Sequence, residues 1–153
     1  MKKLLLLAMV VLAFTGCSKD DEPTEQTFFV NVFNKTSTGE EVAEKAFLYL
    51  FTNEGKQVDT KESAMSVPFD GVITYTDGTT AKPVYATKFQ VGVFNLENIP
   101  NGEYNLWVTS MVYSYSYSSC KKISVNYDYR GTTEKKTFLR EDDGIGLYHY
   151  EAW

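Results

Sequence analysis

Few side chains in this sequence could do covalent chemistry. His149 is the only histidine, and it stands among Tyr148, Tyr150 and Trp153. A general base or metal ligand works with partners, so ring packing is the plainer reading of that position. No Gly-x-Ser-x-Gly elbow and no phosphate-cradling glycine loop occurs. Carboxylates are plentiful, with 20 Asp and Glu, but glycoside hydrolysis needs two of them facing one cleft. Glu141-Asp142-Asp143 could offer oxygens to Ca²⁺. It lacks the alternating spacing of a calcium loop and reads as a polar turn. The expectation is a chain with no catalytic residue, no metal ligand and no cofactor, not an enzyme. A small hydrolase is the weakest reading.

The two cysteines are more informative. Cys17 follows a positive start (Lys2, Lys3), an unbroken apolar run over residues 4–14 and the small pair Thr15-Gly16. That is the build of a secretory signal peptide over residues 1–16. The apolar run falls short of the about 20 residues that a membrane span needs. The plain alternative is an ordinary signal with Cys17 left as a free thiol. Phe14-Thr15-Gly16-Cys17 resembles the lipobox of bacterial lipoproteins. The resemblance implies that Cys17 carries a diacylglyceryl group and an acylated amine (palmitate or similar), which together make a stable anchor. Ser18, Lys19, Asp20, Asp21 and Glu22 follow it. They resemble the acidic export signal of surface lipoproteins in Bacteroidota-type bacteria. That implies an outer-membrane location facing the cell exterior. A solvated acidic linker is the alternative. Residues 17–26 are then a lipidated terminus and linker.

Residues 27–153 suffice for one domain with its own core. The formal charge of −5 argues against nucleic acid, whose phosphates call for a basic footprint. With Cys17 on lipid, Cys120 has no partner for a disulfide. The domain must be held by packing, with Cys120 either buried or linking two chains.

Alternation rather than helix periodicity runs along these residues. Strands are expected at 27–34 (TFFVNVFN), 46–52 (AFLYLFT) and 72–76 (VITYT), the last closed by Asp77-Gly78. One long or two short strands fill 84–96. A turn at Pro100-Asn101-Gly102 leads into a long strand at 104–117, and strands at 121–127 and 134–140 follow. Residues 57–66 are polar and ambiguous, and 147–153 form an aromatic tail. The fold class is all-β, a single antiparallel β-sandwich of seven to eight strands.

Two stretches sharpen that expectation. Residues 46–51 (AFLYLF) and 94–108 (FNLENIPNGEYNLWV) resemble the second strand and the "F-x-L-x-x-I-P-x-G-x-Y-x-L-x-V" hallmark of carboxypeptidase-regulatory-like and prealbumin-like (transthyretin-like) domains. The resemblance implies a prealbumin-like, Ig-like sandwich. It implies Ile99 closing one end and Tyr104, Leu106 and Val108 pointing inward. Such domains are binding, scaffolding or accessory modules more often than enzymes. A glycan or protein partner is therefore expected, with a structural subunit of a pilus or envelope complex as the alternative.

Alternation then sends the other side chains of two neighbouring strands outward. Phe47, Tyr49, Phe51, Trp107, Tyr113, Tyr115 and Tyr117 would form one aromatic face, the candidate binding patch. Alternatively the tail folds over that face and makes a second core, or a bulge near Ser110 turns the tyrosines inward.

Overall fold

The computed structural model describes residues 23–140 and 147–153. The expected signal peptide, Cys17 and the run Ser18, Lys19, Asp20, Asp21, Glu22 lie outside the described residues, as does the turn expected at Glu141-Asp142-Asp143.

The described chain is mostly β. In order it holds β1 (Glu25–Thr36), β2 (Gly39–Val42), β3 (Ala46–Thr52), α1 (Thr60–Asp70), β4 (Ile73–Thr74), β5 (Thr80–Ala81), β6 (Tyr85–Ala86), β7 (Val93–Pro100), β8 (Gly102–Val112), β9 (Tyr115–Val125), β10 (Thr133–Leu139) and β11 (Tyr148–Tyr150). A 3-10 turn at Tyr127–Tyr129 joins β9 to β10.

One sheet runs β10-β1-β2, with β7 also paired to β1. A second runs β11-β9-β8-β3-β6, and β4-β5 form a small ribbon. Pairing is antiparallel except at β1/β10 and β9/β11, which are parallel. The wholly antiparallel expectation is corrected there: both exceptions are strands from the C-terminal part joining the sheet margins.

The two sheets share one core. Phe28, Val30, Val32, Phe94, Leu96 and Phe138 come from the first sheet; Ala46, Leu48, Leu50, Tyr104, Leu106, Val108 and Ile123 come from the second. Period-two alternation in β1 and β7 aims these side chains inward. The inward register of Tyr104, Leu106 and Val108 is as expected. Ile99 is buried at one end of this core, and the Tyr104 hydroxyl donates to the Pro100 carbonyl at 2.8 Å, holding the turn. One buried polar bond ties the sheets together: Ser110 Oγ donates to Asn34 Oδ1 at 2.9 Å.

The tightest point is where β1 changes partner from β7 to β2. Gly92 and Ala43 exchange backbone hydrogen bonds with each other and with Val32. A Cβ on Gly92 would lie 2.5 Å from the Val32 carbonyl oxygen and 3.2 Å from the Ala43 Cβ. Only glycine fits there.

The ambiguous residues 57–66 belong largely to a helix. Asp59 caps α1, its side chain accepting from Glu62 N at 3.0 Å. Gly71 ends the helix at φ 63 with its N–H donating to the Val67 carbonyl. The expected long strand at 104–117 is also corrected. It breaks into β8 and β9 at a two-residue hairpin, Tyr113-Ser114, with Val112 paired to Tyr115. A Tyr-Ser pair is not a typical hairpin turn, and the Tyr/Ser alternation of the sequence runs straight through it.

Candidate functional site

The expected aromatic face exists in part, but it is covered. Phe47, Phe51 and Trp107 lie on the outer side of the second sheet, where they pack with Ala64 and Val67 of α1, Ile73 and Tyr75. Trp107 is 0 % exposed. Its Nε1–H donates to Thr109 Oγ1 at 3.0 Å, and Thr109 Oγ1 lies 2.9 Å from Ser118 Oγ. Tyr150 from the tail tilts against the indole at 5.9 Å. The reason for the covering is energetic. Several large rings on one sheet face would cost too much in water, and α1 with the tail removes them from it. Tyr49 stays half-buried beside Phe47 and Phe51.

The three tyrosines do not join that face. The hairpin at Tyr113-Ser114 resets the alternation, so Tyr117 points into the shared core, 6 % exposed. Tyr115 lies at the surface and Tyr113 at the tip, 93 % exposed. The predicted patch therefore divides into a second core (Phe47, Phe51, Trp107) and a hairpin series.

That series is a ladder of rings. Phe138 and Tyr117 sit 6.3 Å apart; His149 stacks on Tyr117 at 4.9 Å with 13° between planes; Tyr115 follows at 6.4 Å from His149. Parallel pairing of β11 with β9 sets His149 opposite Tyr117. The lone histidine is thus a rung between core and surface. The sequence could not show this, because it depends on a long-range parallel pairing.

Tyr113 has φ 53. It is the first central residue of a two-residue hairpin, where positive φ favours glycine. Among the described residues, the other non-glycine residue at positive φ is Asn98, an amide of the kind that tolerates it.

The tail closes the margin between the sheets. Lys136, 7 % exposed, donates from Nζ to the Ala152 carbonyl at 2.6 Å and pairs with Glu151 at 3.4 Å. Glu151 also accepts from Leu139 N at 3.1 Å. Next to it, Glu134 accepts from Lys121 Nζ at 2.6 Å and from the Tyr129 hydroxyl at 2.8 Å. Burial, with Glu134 adding to it, pushes the Tyr129 phenol up. Lys121 lies over the Trp153 ring at 5.7 Å. Each carboxylate and amine here is engaged, so the cluster acts as a clasp.

Cys120 borders the second core. Burial pushes its thiol up to about 12, against a smaller opposing pull from Lys122. On the outer side of the first sheet, the Lys135 hydrogen bond, helped by Thr137, holds the Glu40 carboxyl below its ordinary range.

The two ends of the domain differ. At one end Pro23 is fastened to the Pro100-Asn101 turn. Gln26 Nε2 donates to the Pro23 carbonyl at 2.8 Å and to Asn101 Oδ1 at 3.0 Å, and Asn101 N donates to the Thr24 carbonyl at 2.8 Å. At the other end of β8 stands Tyr113. Eleven residues of strand separate the two, roughly 35 Å at the usual rise per residue. The same far end carries Phe89, packed edge-on against Phe47 with Lys45 over it, and Tyr148, edge-on to Phe69.

No family model matches the chain, and no curated protein matches it at a significant level. Among solved structures it is similar to a "putative carbohydrate binding protein" from Pseudomonas aeruginosa, with 13 % identity, 78 % of this chain and 92 % of that one covered, and a TM-score of 0.36. A likeness of that size carries no argument about fold or ligand.

Proposed function

We propose that the chain is a non-catalytic binding or accessory module, held to the outer membrane by lipid on Cys17 and facing the cell exterior, with a glycan or protein as partner. The fold we read as a prealbumin-like sandwich. Support for that comes from Ile99, Tyr104, Leu106 and Val108, which are buried as the hallmark stretch implies. The observation that carries the functional reading is the polarity of the domain. Pro23, which follows the expected linker run in sequence, is fastened beside Asn101, and exposed Tyr113 stands at the other end of β8. An anchored binding module needs this arrangement, with the attachment at one end and the contact surface at the other. Intact-mass analysis of the mature protein, with membrane fractionation, tests the anchor. The acylated form beginning at Cys17 is expected in the outer membrane, and Cys17→Ala should release or mis-process the chain. An unmodified N-terminus at another residue would overturn the reading.

A further inference from the structure

We propose that the hairpin tip formed by Tyr113, Ser114 and Tyr115, with His149 behind it, is a stacking site for a neutral saccharide, and that Tyr113 is its principal contact. This rests on the binding-module reading above and names its ligand class and its residues. Tyr113 gives the fold almost nothing, since its ring is 93 % exposed. Its backbone sits at φ 53 in a turn position suited to glycine. A bulky residue kept in a strained place, with its ring in water, points to work done outside the molecule. Behind it the ladder from Phe138 through Tyr117 and His149 to Tyr115 fixes the hairpin from the core outward.

The ligand class follows from size and charge. Residues 112–120 carry no Asp, Glu, Lys, Arg or His. Of the ionisable neighbours, His149 is stacked on Tyr117 and Lys45 lies over Phe89, so the tip itself presents no carboxylate or ammonium to a ligand. A stable protein interface covers about 800 Å² on each partner, and a two-residue turn cannot offer that. Phe69 and Phe89, exposed rings at the same end, make edge-on contacts with Tyr148 and Phe47 and belong to other elements than the hairpin. A sugar ring needs only one open aromatic face and a few hydroxyls. Tyr113 supplies the apolar body and polar tip, and Ser114 and Tyr115 add further hydroxyls.

The test uses the full-length chain in detergent on an array of neutral oligosaccharides (gluco-, xylo-, manno- and galacto-series) with sialylated and sulfated glycans beside them. Thermal midpoints are read in parallel. Binding to at least one neutral series is expected. Tyr113→Gly should weaken it at least tenfold while leaving the midpoint equal or higher, because the turn relaxes. Tyr113→Phe, which keeps the ring's apolar body and loses only the hydroxyl, should stay within about threefold of the parent. A lowered midpoint in Tyr113→Gly makes Tyr113 a structural residue and overturns the proposal. So does undiminished neutral binding in that variant, binding confined to charged glycans, or no glycan binding at all. Capture of a protein partner in a Tyr113-dependent way, without glycan binding, likewise overturns the saccharide assignment. None of these outcomes touches the acylation of Cys17, which is read separately.

Discussion

Replacing Trp107 by alanine tests whether the outer side of the second sheet is a core. The indole is 0 % exposed, against Tyr150 on one side and among Phe47, Phe51, Ala64 and Val67. A buried tryptophan removes about 150–250 Å² from water, which at about 25 cal/mol per Å² is roughly 4–6 kcal/mol. Measured aromatic-to-alanine losses in cores run about 3–5 kcal/mol, and we expect that range. The lost N–H adds little, because Thr109 Oγ1 keeps Ser118 Oγ as a partner. Trp107→Phe separates the two effects and should cost about 1–2 kcal/mol, from the smaller ring and the missing donor. Urea unfolding followed by far-UV circular dichroism gives both values, since that signal does not depend on the indole. A cost below about 1 kcal/mol for Trp107→Ala would mean that α1 and the tail do not cover this face. The aromatic patch would then be open, as alternation alone suggests.

Three further outcomes follow from local geometry. Gly92→Ala forces a Cβ to 2.5 Å from the Val32 carbonyl oxygen and should destabilise the domain by about 1–3 kcal/mol, read as a lower urea midpoint with unchanged slope. Lys136→Met removes the bond to the Ala152 carbonyl and the pair with Glu151; amide exchange at Tyr148–Tyr150 should quicken more than exchange in β8, and equal quickening in both or no change would show that the clasp does not hold the tail. The Cys120 thiol, pushed up to about 12 from 9.0, should react slowly with maleimide at pH 7.5 in the folded protein and quickly in urea. Because burial disfavours the thiolate, its contribution to stability is complete below about pH 9 and is lost as pH rises toward about 12. Stability rising over that interval would contradict the assignment.

How much of this was legible in the sequence depends on the range of the interaction. Inward residues of β1, β3 and β8 follow from period two, and the Ile99–Tyr104 turn from proline and glycine chemistry. Helix α1 was not legible. It buries only the small residues Ser63, Ala64 and Val67 and holds Pro68, so it shows no apolar stripe. The covering of Phe47 and Trp107 depends on where α1 and β11 dock, and a sheet face reads the same in sequence whether it meets solvent or a helix. The hairpin at Tyr113-Ser114 was missed because its residues continue the Tyr/Ser alternation and carry no glycine or asparagine. The lipobox resemblance at Cys17 is local and legible, but it concerns residues outside the described part.

Labelling of one engineered thiol on living cells tests the proposed orientation most directly. Ser114→Cys puts a thiol on the exposed hairpin, at the end of β8 opposite Asn101, while burial pushes the native Cys120 thiol up and should slow its labelling. Intact cells are treated with a membrane-impermeant maleimide, and the parent chain serves as the blank. We predict labelling of Ser114→Cys on intact cells to the same extent as after permeabilisation, with the parent chain unlabelled in both. Labelling that appears only after permeabilisation would contradict an outward-facing, lipid-anchored module.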